Sequence, residues 1–311
     1  MLNKIFLPTQ IYIDSLPVVK IEGVEQFSVK KTFDCGQCFR FDEVLDSRHE
    51  CEYAGMAHGK YISVANDGDT LYIYNSTLEE YENIWESFLS LDKNYREIDK
   101  SILSLSSNPS LADAINISSG IRILRQDKWE ALCSFIISQN NNIPRIKKLV
   151  SALSYACDGE KRGAPENMKG HIADAHKNLS GSFSPFPTPD KTAALGVDGL
   201  AALKVGFRAK YIFDASNKVT SGEIDLNSIA ELDSTLECSN ILCKIKGVGV
   251  KVAACTLLFG FNRLDSFPID VWIKRVIAKY FDEGFDPRAL GRYAGVAQQV
   301  LFYYERYLIG G

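Results

Sequence analysis

The stretch Leu242-Cys-Lys-Ile-Lys-Gly-Val-Gly-Val-Lys-Val-Ala constrains the fold more than any other. An apolar-periodic helix ends at Ile245, Gly247-Val248-Gly249 comes next, and a second helix starts at once. A reversal this short needs backbone freedom, which two glycines bracketing one aliphatic residue supply. Val248 is expected to plug the turn into the helix pair. The second helix then presents orphan N–H groups outward, where an anion can sit. This is the helix-hairpin-helix pattern, which grips a DNA phosphate without reading bases. A packed turn with no ligand is the plainer alternative.

The rest of the chain leaves room for such a role. With 311 residues, 46% of them hydrophobic and 24% charged, it fits two or three soluble domains with a core that needs no disulfides. No apolar run approaches the length of a membrane span, and Lys4, Pro8 and Gln10 argue against a signal peptide. The net charge of −4 speaks against indiscriminate nucleic-acid binding, but it averages unlike segments. Residues 78–100 hold seven acids and three bases, a net of −4. Residues 241–279 hold seven bases and two acids, a net of +5, and residues 118–150 hold six and two, a net of +4. One basic face on an acidic body fits these numbers, and so do ordinary solvated helices. The eight cysteines include one C-x-x-C, Cys35 and Cys38, with no second pair and no histidine at zinc spacing. Reduced thiols in a cytoplasmic protein without a bound metal are expected. No cysteine follows Cys255, which excludes a four-cysteine iron–sulfur loop near the end of the sequence.

The first 75 residues read as strands. Tyr61-Ile-Ser-Val and Leu71-Tyr-Ile-Tyr flank the turn residues Asn66-Asp67-Gly68-Asp69, so an antiparallel sheet is expected. Thr77 and Glu80 form a capping box before an amphipathic stretch carrying Ile84, Phe88 and Leu91. Helical patterns dominate from there: a buried helix over 127–138, then segments near 207–220, 227–244, 250–261, 271–281 and 287–308. The expected fold class is α+β, with a β-rich domain over 1–110 and an all-helical domain over 111–311. The hairpin falls at about 232–261 and a Gly-, Ser- and Pro-rich loop at about 158–190.

Lys251 lies in the first turn of the second hairpin helix. The helix dipole is unfavourable to an ammonium there and is expected to lower its pKa. A neutral amine can attack a sugar C1′ and form a Schiff base. A lysine reaching a DNA phosphate is the alternative. Asp270 stands nineteen residues later, immediately before the amphipathic run Val271-Trp-Ile-Lys-Arg-Val-Ile. An ordinary N-cap explains it; a carboxylate facing a cleft and stabilising a positive ribose is the other reading. Cys255 stands one turn from Lys251, and Gln298 and Phe302 repeat that spacing on the last helix. A sulfur and an aromatic face can sandwich a purine, and an amide can read its edge. Core packing accounts for the same residues without a ligand.

Together these residues resemble the helix-hairpin-helix-GPD superfamily of DNA glycosylases. More narrowly they resemble the 8-oxoguanine DNA glycosylase/lyase family. Gly120-Ile-Arg-Ile-Leu-Arg-Gln-Asp, Phe135-Ile-Ile-Ser-Gln-Asn-Asn-Asn-Ile-Pro-Arg-Ile, Gly206-Phe-Arg-Ala-Lys-Tyr and Ala294-Gly-Val-Ala-Gln-Gln-Val-Leu-Phe match that family in order, over about residues 28 to 305. Phe33-Asp-Cys-Gly-Gln-Cys-Phe-Arg is closer to its bacterial, clostridial-type members.

The resemblance implies a TBP-like sheet lobe ahead of the helical body. It also implies base-excision repair of 8-oxoguanine opposite cytosine in duplex DNA, through a lysine Schiff base and β-elimination. Lys251 and Asp270 would be the catalytic pair. Gly36, through its carbonyl, would accept the N7 hydrogen that marks the damaged base, with Cys255, Gln298 and Phe302 completing the pocket. Asn140, Arg145 and Arg208 would contact the estranged cytosine, with Phe207 in place of a wedging tyrosine. Gly247, Val248, Gly249 and Trp272 would meet the DNA backbone. Trp272 replaces a histidine of the family, Lys246 its usual hairpin proline, and Ala254 an acid. No cofactor is implied beyond a possible cation at the hairpin carbonyls. A monomer with no membrane partner is expected, cytoplasmic and nucleoid-associated if the source is bacterial.

Overall fold

The computed structural model describes residues 6–158 and 184–309. Short alternating runs separated by turn residues produce six antiparallel strands: β1 (Pro8–Ile13), β2 (Leu16–Ile21), β3 (Phe41–Glu43), β4 (Cys51–Ala57), β5 (Lys60–Asp67) and β6 (Thr70–Tyr74). Their order across the sheet is β1-β2-β6-β5-β4-β3. The expected turn closes β5 onto β6, with Asp67 opposite Thr70 and Gly68 at φ +52°. Period-two alternation splits β5 between the faces. Ile62 and Val64 join the larger core, whereas Tyr61 and Ala65 join the smaller one behind it.

The Thr77–Glu80 capping box is present in both directions. The stretch after it departs from the expected amphipathic helix. Residues Tyr81–Trp85 form a π turn, which adds a residue to the coil and rotates the next turn about the helix axis. Trp85 is therefore fully buried with Tyr81 and Phe88, while Ile84 only flanks the core.

The run from Gly120 to Asp127 is neither helix nor strand, and it ties the sheet lobe to the helices. Ser28 N donates to Gly120 O at 2.8 Å, and Gln126 N donates to Phe259 O at 2.8 Å. Gly120 sits at φ +92°, where an added Cβ would lie 2.8 Å from Ser28 N. Arg122 is buried: its Nε donates to Gln26 O and its Nη1 to Ser90 O, with its guanidinium 4.7 Å from the Tyr95 ring. A buried charge is tolerable only when its donors are used in this way.

Two further helical expectations need correction. The segment 227–244 is two helices, Leu226–Glu231 and Thr235–Leu242, because Ser234 caps a new start through Glu237 N. Arg263 braces the break by donating to Leu232 O. The segment 287–308 is a 3-10 stretch (Pro287–Tyr293), the helix Ala294–Tyr303 and a π-helical end (Tyr304–Ile309). Gly291, at φ 69° and ψ −155°, interrupts it. Most of the expected 158–190 loop lies outside the described residues. The described chain resumes at Ser184 and is helical by Pro189–Ala194.

A buried ion pair supports that return. Arg40 Nη1 lies 3.6 Å from Glu130 Oε2, and Arg40 also donates to Ser184 O and faces the Phe186 ring. Burial pushes the Glu130 carboxyl from its ordinary 4.5 up to about 7, although Arg40 opposes this. A folded-state value above the unfolded one means that the native protein holds this proton more tightly. Stability contributed by the protonated form is complete below pH 4.5 and is lost as pH rises through about 7. Glu130→Gln is expected to shrink the difference in Tm between the two ends of that window. Asp99, also raised by burial to about 6, retains part of it. Thermal melts at both ends check this; an unchanged difference would contradict it.

Candidate active site

The hairpin forms between Thr235–Leu242 and Val250–Gly260. Gly247 adopts φ +80°, and a Cβ there would overlap the Tyr211 ring. Val248, 4% exposed, is the plug. Gly249 differs from the expectation of two conformationally required glycines: it is extended (φ −95°, ψ 179°) with open space around it. Only the first glycine answers to the chain's own backbone. The second keeps the approach to the helix N-terminus clear. That N-terminus has no side-chain cap, and Val250 beside it is 75% exposed. The turn is held from behind, since Lys246 N donates to Asp214 Oδ2 at 2.7 Å and Lys218 Nζ to Lys244 O at 2.8 Å. Lys246 thus supplies an N–H that a proline would lack.

The helix leads Lys251 into a cavity of about 520 Å³. Its walls come from distant parts of the chain: Gly36 from the sheet lobe, Phe135 from the helix Lys128–Ser138, Asp270, and Gln298 and Phe302 from the terminal helix Ala294–Tyr303. Lys251 Nζ lies 5.9 Å from the Phe135 ring centre. Among the described residues it forms no ion pair with a carboxylate. Cys255, one turn on, is buried; burial raises its thiol pKa, and the Lys251 ammonium and hydrogen bond pull it back.

Asp270 is an N-cap and also a wall of the cavity. Its Oδ1 accepts from Trp272 N at 2.9 Å and from Ile273 N at 2.8 Å. The N-cap reading holds, and because a cap uses one oxygen of a carboxylate that has two, the residue can line the cavity as well. Gln298 is 4% exposed and its Oε1 has no hydrogen-bond partner. A buried amide oxygen costs free energy unless something satisfies it, and this one belongs to a side chain lining an open cavity. Gly36, at φ +78°, stands where a Cβ would meet Ile143 at 3.1 Å and Phe302 at 3.9 Å. Its loop is fixed by Gln299, whose Nε2 donates to Cys35 O at 3.0 Å, and by Gln37, whose Nε2 donates to Thr32 O and Arg122 O at 2.8 Å each. Burial pushes the Cys35 thiol up to about 12, so it stays protonated.

The remaining site residues gather beside the cavity mouth. Asn140 is exposed at φ 51° and lines the rim. Arg208 is buried, donating Nε to Gln139 O at 2.8 Å and Nη1 to Val205 O at 3.0 Å, with its guanidinium 4.4 Å from the half-exposed Phe207 ring. Arg145 is exposed and donates to Lys204 O at 3.3 Å. Desolvation, then Arg145, lowers the Arg208 pKa. Trp272 also lines the cavity, its indole ring 5.0 Å from the Arg275 guanidinium and 5.9 Å from that of Arg306.

Three contributors were not among the residues expected at the site. Phe135 is legible in the sequence only as a core position. Gln299 holds the Gly36 loop while its neighbour Gln298 lines the cavity with a free oxygen, and no spacing marks it. Arg306 stands four residues after Phe302, so helical spacing at the end of the terminal helix is the signal that finds it.

The model of the 8-oxoguanine DNA glycosylase N-terminal domain matches residues 20–132. A structure of MBOgg1 in complex with a low affinity DNA ligand is 39% identical, at a TM-score of 0.82, covering 97% of this chain and 99% of that one. The chain belongs to the 8-oxoguanine DNA glycosylase family. Clostridium acetobutylicum 8-oxoguanine glycosylase/lyase, in complex with duplex DNA carrying cytosine opposite 8-oxoguanine, is 34% identical at a TM-score of 0.80, covering 97% of this chain and 98% of that one. The N-glycosylase/DNA lyase OGG1 of Arabidopsis thaliana is 26% identical over 90% of this chain and 78% of its own length. Family membership gives the α+β arrangement its context: the sheet lobe brings Gly36 to the cavity and the helical body brings Lys251 and Asp270. Among the described residues no three His, Cys, Asp or Glu side chains converge as a metal site, and no helix is long and apolar enough to cross a membrane.

Proposed function

We propose that this protein excises 8-oxoguanine from duplex DNA opposite cytosine and then cleaves the strand, using Lys251 as its nucleophile. The observation that carries the reading is the convergence of an amine, a carboxylate and an unsatisfied amide oxygen on one cavity beside an uncapped hairpin. An enzyme that acts on a base inside a duplex must first extrude it, at a cost of a few kcal/mol. The hairpin N-terminus holds the backbone while this happens. The purine enters between Phe302 and Cys255, and Gln298 Oε1 accepts from its Watson–Crick edge. The Gly36 carbonyl accepts the N7 hydrogen of 8-oxoguanine and repels the N7 lone pair of guanine. Asn140, Arg145 and Arg208 face the cytosine left behind, and Phe207 fills the gap.

Lys251 Nζ, as the free amine, then attacks C1′. The glycosidic bond breaks as the bond from Nζ to C1′ forms, and the base departs with the electron pair of the broken bond. Asp270 stabilises the positive charge that develops on the sugar. Ring opening gives an iminium. Loss of a C2′ proton then breaks the C3′–O bond, nicking the strand 3′ to the lesion. The proposed steps use no metal and no organic cofactor. In a bacterial cell this activity belongs with the nucleoid in the cytoplasm.

Asp270→Asn tests the electrostatic step. The amide oxygen still accepts from Trp272 N and Ile273 N, so the melting temperature should hold. Excision under single-turnover conditions is expected to fall by roughly a hundredfold or more. An undiminished rate would show that the carboxylate is only a cap. A lesion panel tests the substrate: the account requires preference for 8-oxoguanine over 3-methyladenine duplexes, and the reverse order would contradict it.

A further inference from the structure

Arg306 has no place in the excision chemistry, yet it lines the same cavity as Lys251, Asp270 and Phe302. Its guanidinium lies 5.6 Å from the Phe302 ring and 5.9 Å from the Trp272 ring, and the Arg275 guanidinium stands 5.0 Å from the Trp272 ring. Ring, cation and ring therefore alternate along the cavity wall as Phe302, Arg306 and Trp272, with Arg275 outside the lining against the Trp272 ring. The charges lining the cavity are uneven. Lys251, Lys274 and Arg306 are the cations and Asp270 is the acid, and Asp270 already serves a helix cap. Asp34, outside the lining, also feels the Arg306 charge.

A nucleotide swung into this cavity carries its phosphate with it. We propose that Arg306 is the residue that binds a backbone phosphate of the extruded nucleotide, and that stacking against Phe302 and Trp272 aims it. This rests on the glycosylase reading of the site. Stacking engages the faces of a guanidinium, whereas phosphate binding uses the N–H donors in its plane, so one side chain can do both. Lysine supplies the charge without the stacked plane. The same contact couples phosphate capture to the base slot, since the ring that Arg306 touches is the one that closes on the purine. Arg306 is thus a positioning residue, with a direct contact to the backbone rather than to the reacting atoms.

The test is equilibrium binding of Arg306→Met and Arg306→Lys to a duplex carrying a tetrahydrofuran abasic analogue, and to the same duplex undamaged, over about 50 to 200 mM salt. Losing one phosphate contact lowers the slope of log K against log salt by about 0.9. Arg306→Met is expected to show that loss on the abasic duplex, with about tenfold weaker binding, and no change on the undamaged one. Arg306→Lys should retain the slope and still excise more slowly, because Phe302 loses its stacked partner. An unchanged slope in Arg306→Met, even with altered melting, would mean that Arg306 only packs. An equal loss on both duplexes would place the contact on unextruded DNA, and either result overturns the proposal. Excision of 8-oxoguanine by the wild-type protein, scored alongside, judges the functional reading separately.

Discussion

Lys251→Gln is expected to abolish excision of 8-oxoguanine, with a single-turnover rate lower by roughly three orders of magnitude or more, the scale on which removing a nucleophile acts. Binding of the same duplex should change by no more than a few-fold, because the hairpin and the phosphate contacts remain. The structure favours a clean result. Lys251 sits in the first turn of Val250–Gly260, is only partly buried, and makes no ion pair among the described residues that its loss would orphan. Glutamine keeps most of the stem and replaces the amine with a non-nucleophilic amide. Quench-flow on an 8-oxoguanine duplex measures the rate. Should excision persist and strand cleavage alone disappear, water would be the first nucleophile and Lys251 would act only on the abasic product.

Gly247→Ala should damage a different property. At φ +80° an alanine is strained by about 1–2 kcal/mol, and its Cβ would also overlap the Tyr211 ring. Tyr211 in turn meets Phe207 edge-on at 5.6 Å, so the displacement runs from the hairpin into the patch of Phe207 and Arg208. A drop in stability of at least about 2 kcal/mol is expected, together with weaker binding to damaged and undamaged duplexes alike. Chemical denaturation and binding titrations check both. Gly249→Ala provides the contrast. Its Cβ meets nothing in the free protein, so stability should hold while DNA binding weakens. Equal behaviour of the two variants would contradict the assignment of one glycine to the fold and the other to the ligand.

Legibility in the sequence tracks the range of each signal. The hairpin, the Thr77–Glu80 box, the β5–β6 turn and the Asp270 cap are local devices, written in a few adjacent residues. Lys251 with Cys255 and Gln298 with Phe302 were legible because helical spacing puts each pair on one face. The π turn at Tyr81–Trp85 was not, because a single widened turn obeys the packing of Trp85 against the sheet rather than any periodicity in its own stretch. The break before Ser234 is likewise braced from outside, by Arg263 reaching back to Leu232 O. Gly36 could be placed only by resemblance; what makes it part of the site is Gln299, which holds the carbonyl of Cys35 from 264 residues along the chain. Phe135 enters the site through contacts between elements that no spacing within one element records.

If a single amine carries the chemistry, borohydride reduces its link to the sugar and traps it. Wild-type protein incubated with an 8-oxoguanine duplex and borohydride should form a covalent adduct, and peptide mapping should place it on Lys251. An adduct on Lys244, Lys246 or Lys274 instead, or no adduct while excision proceeds, would contradict the account.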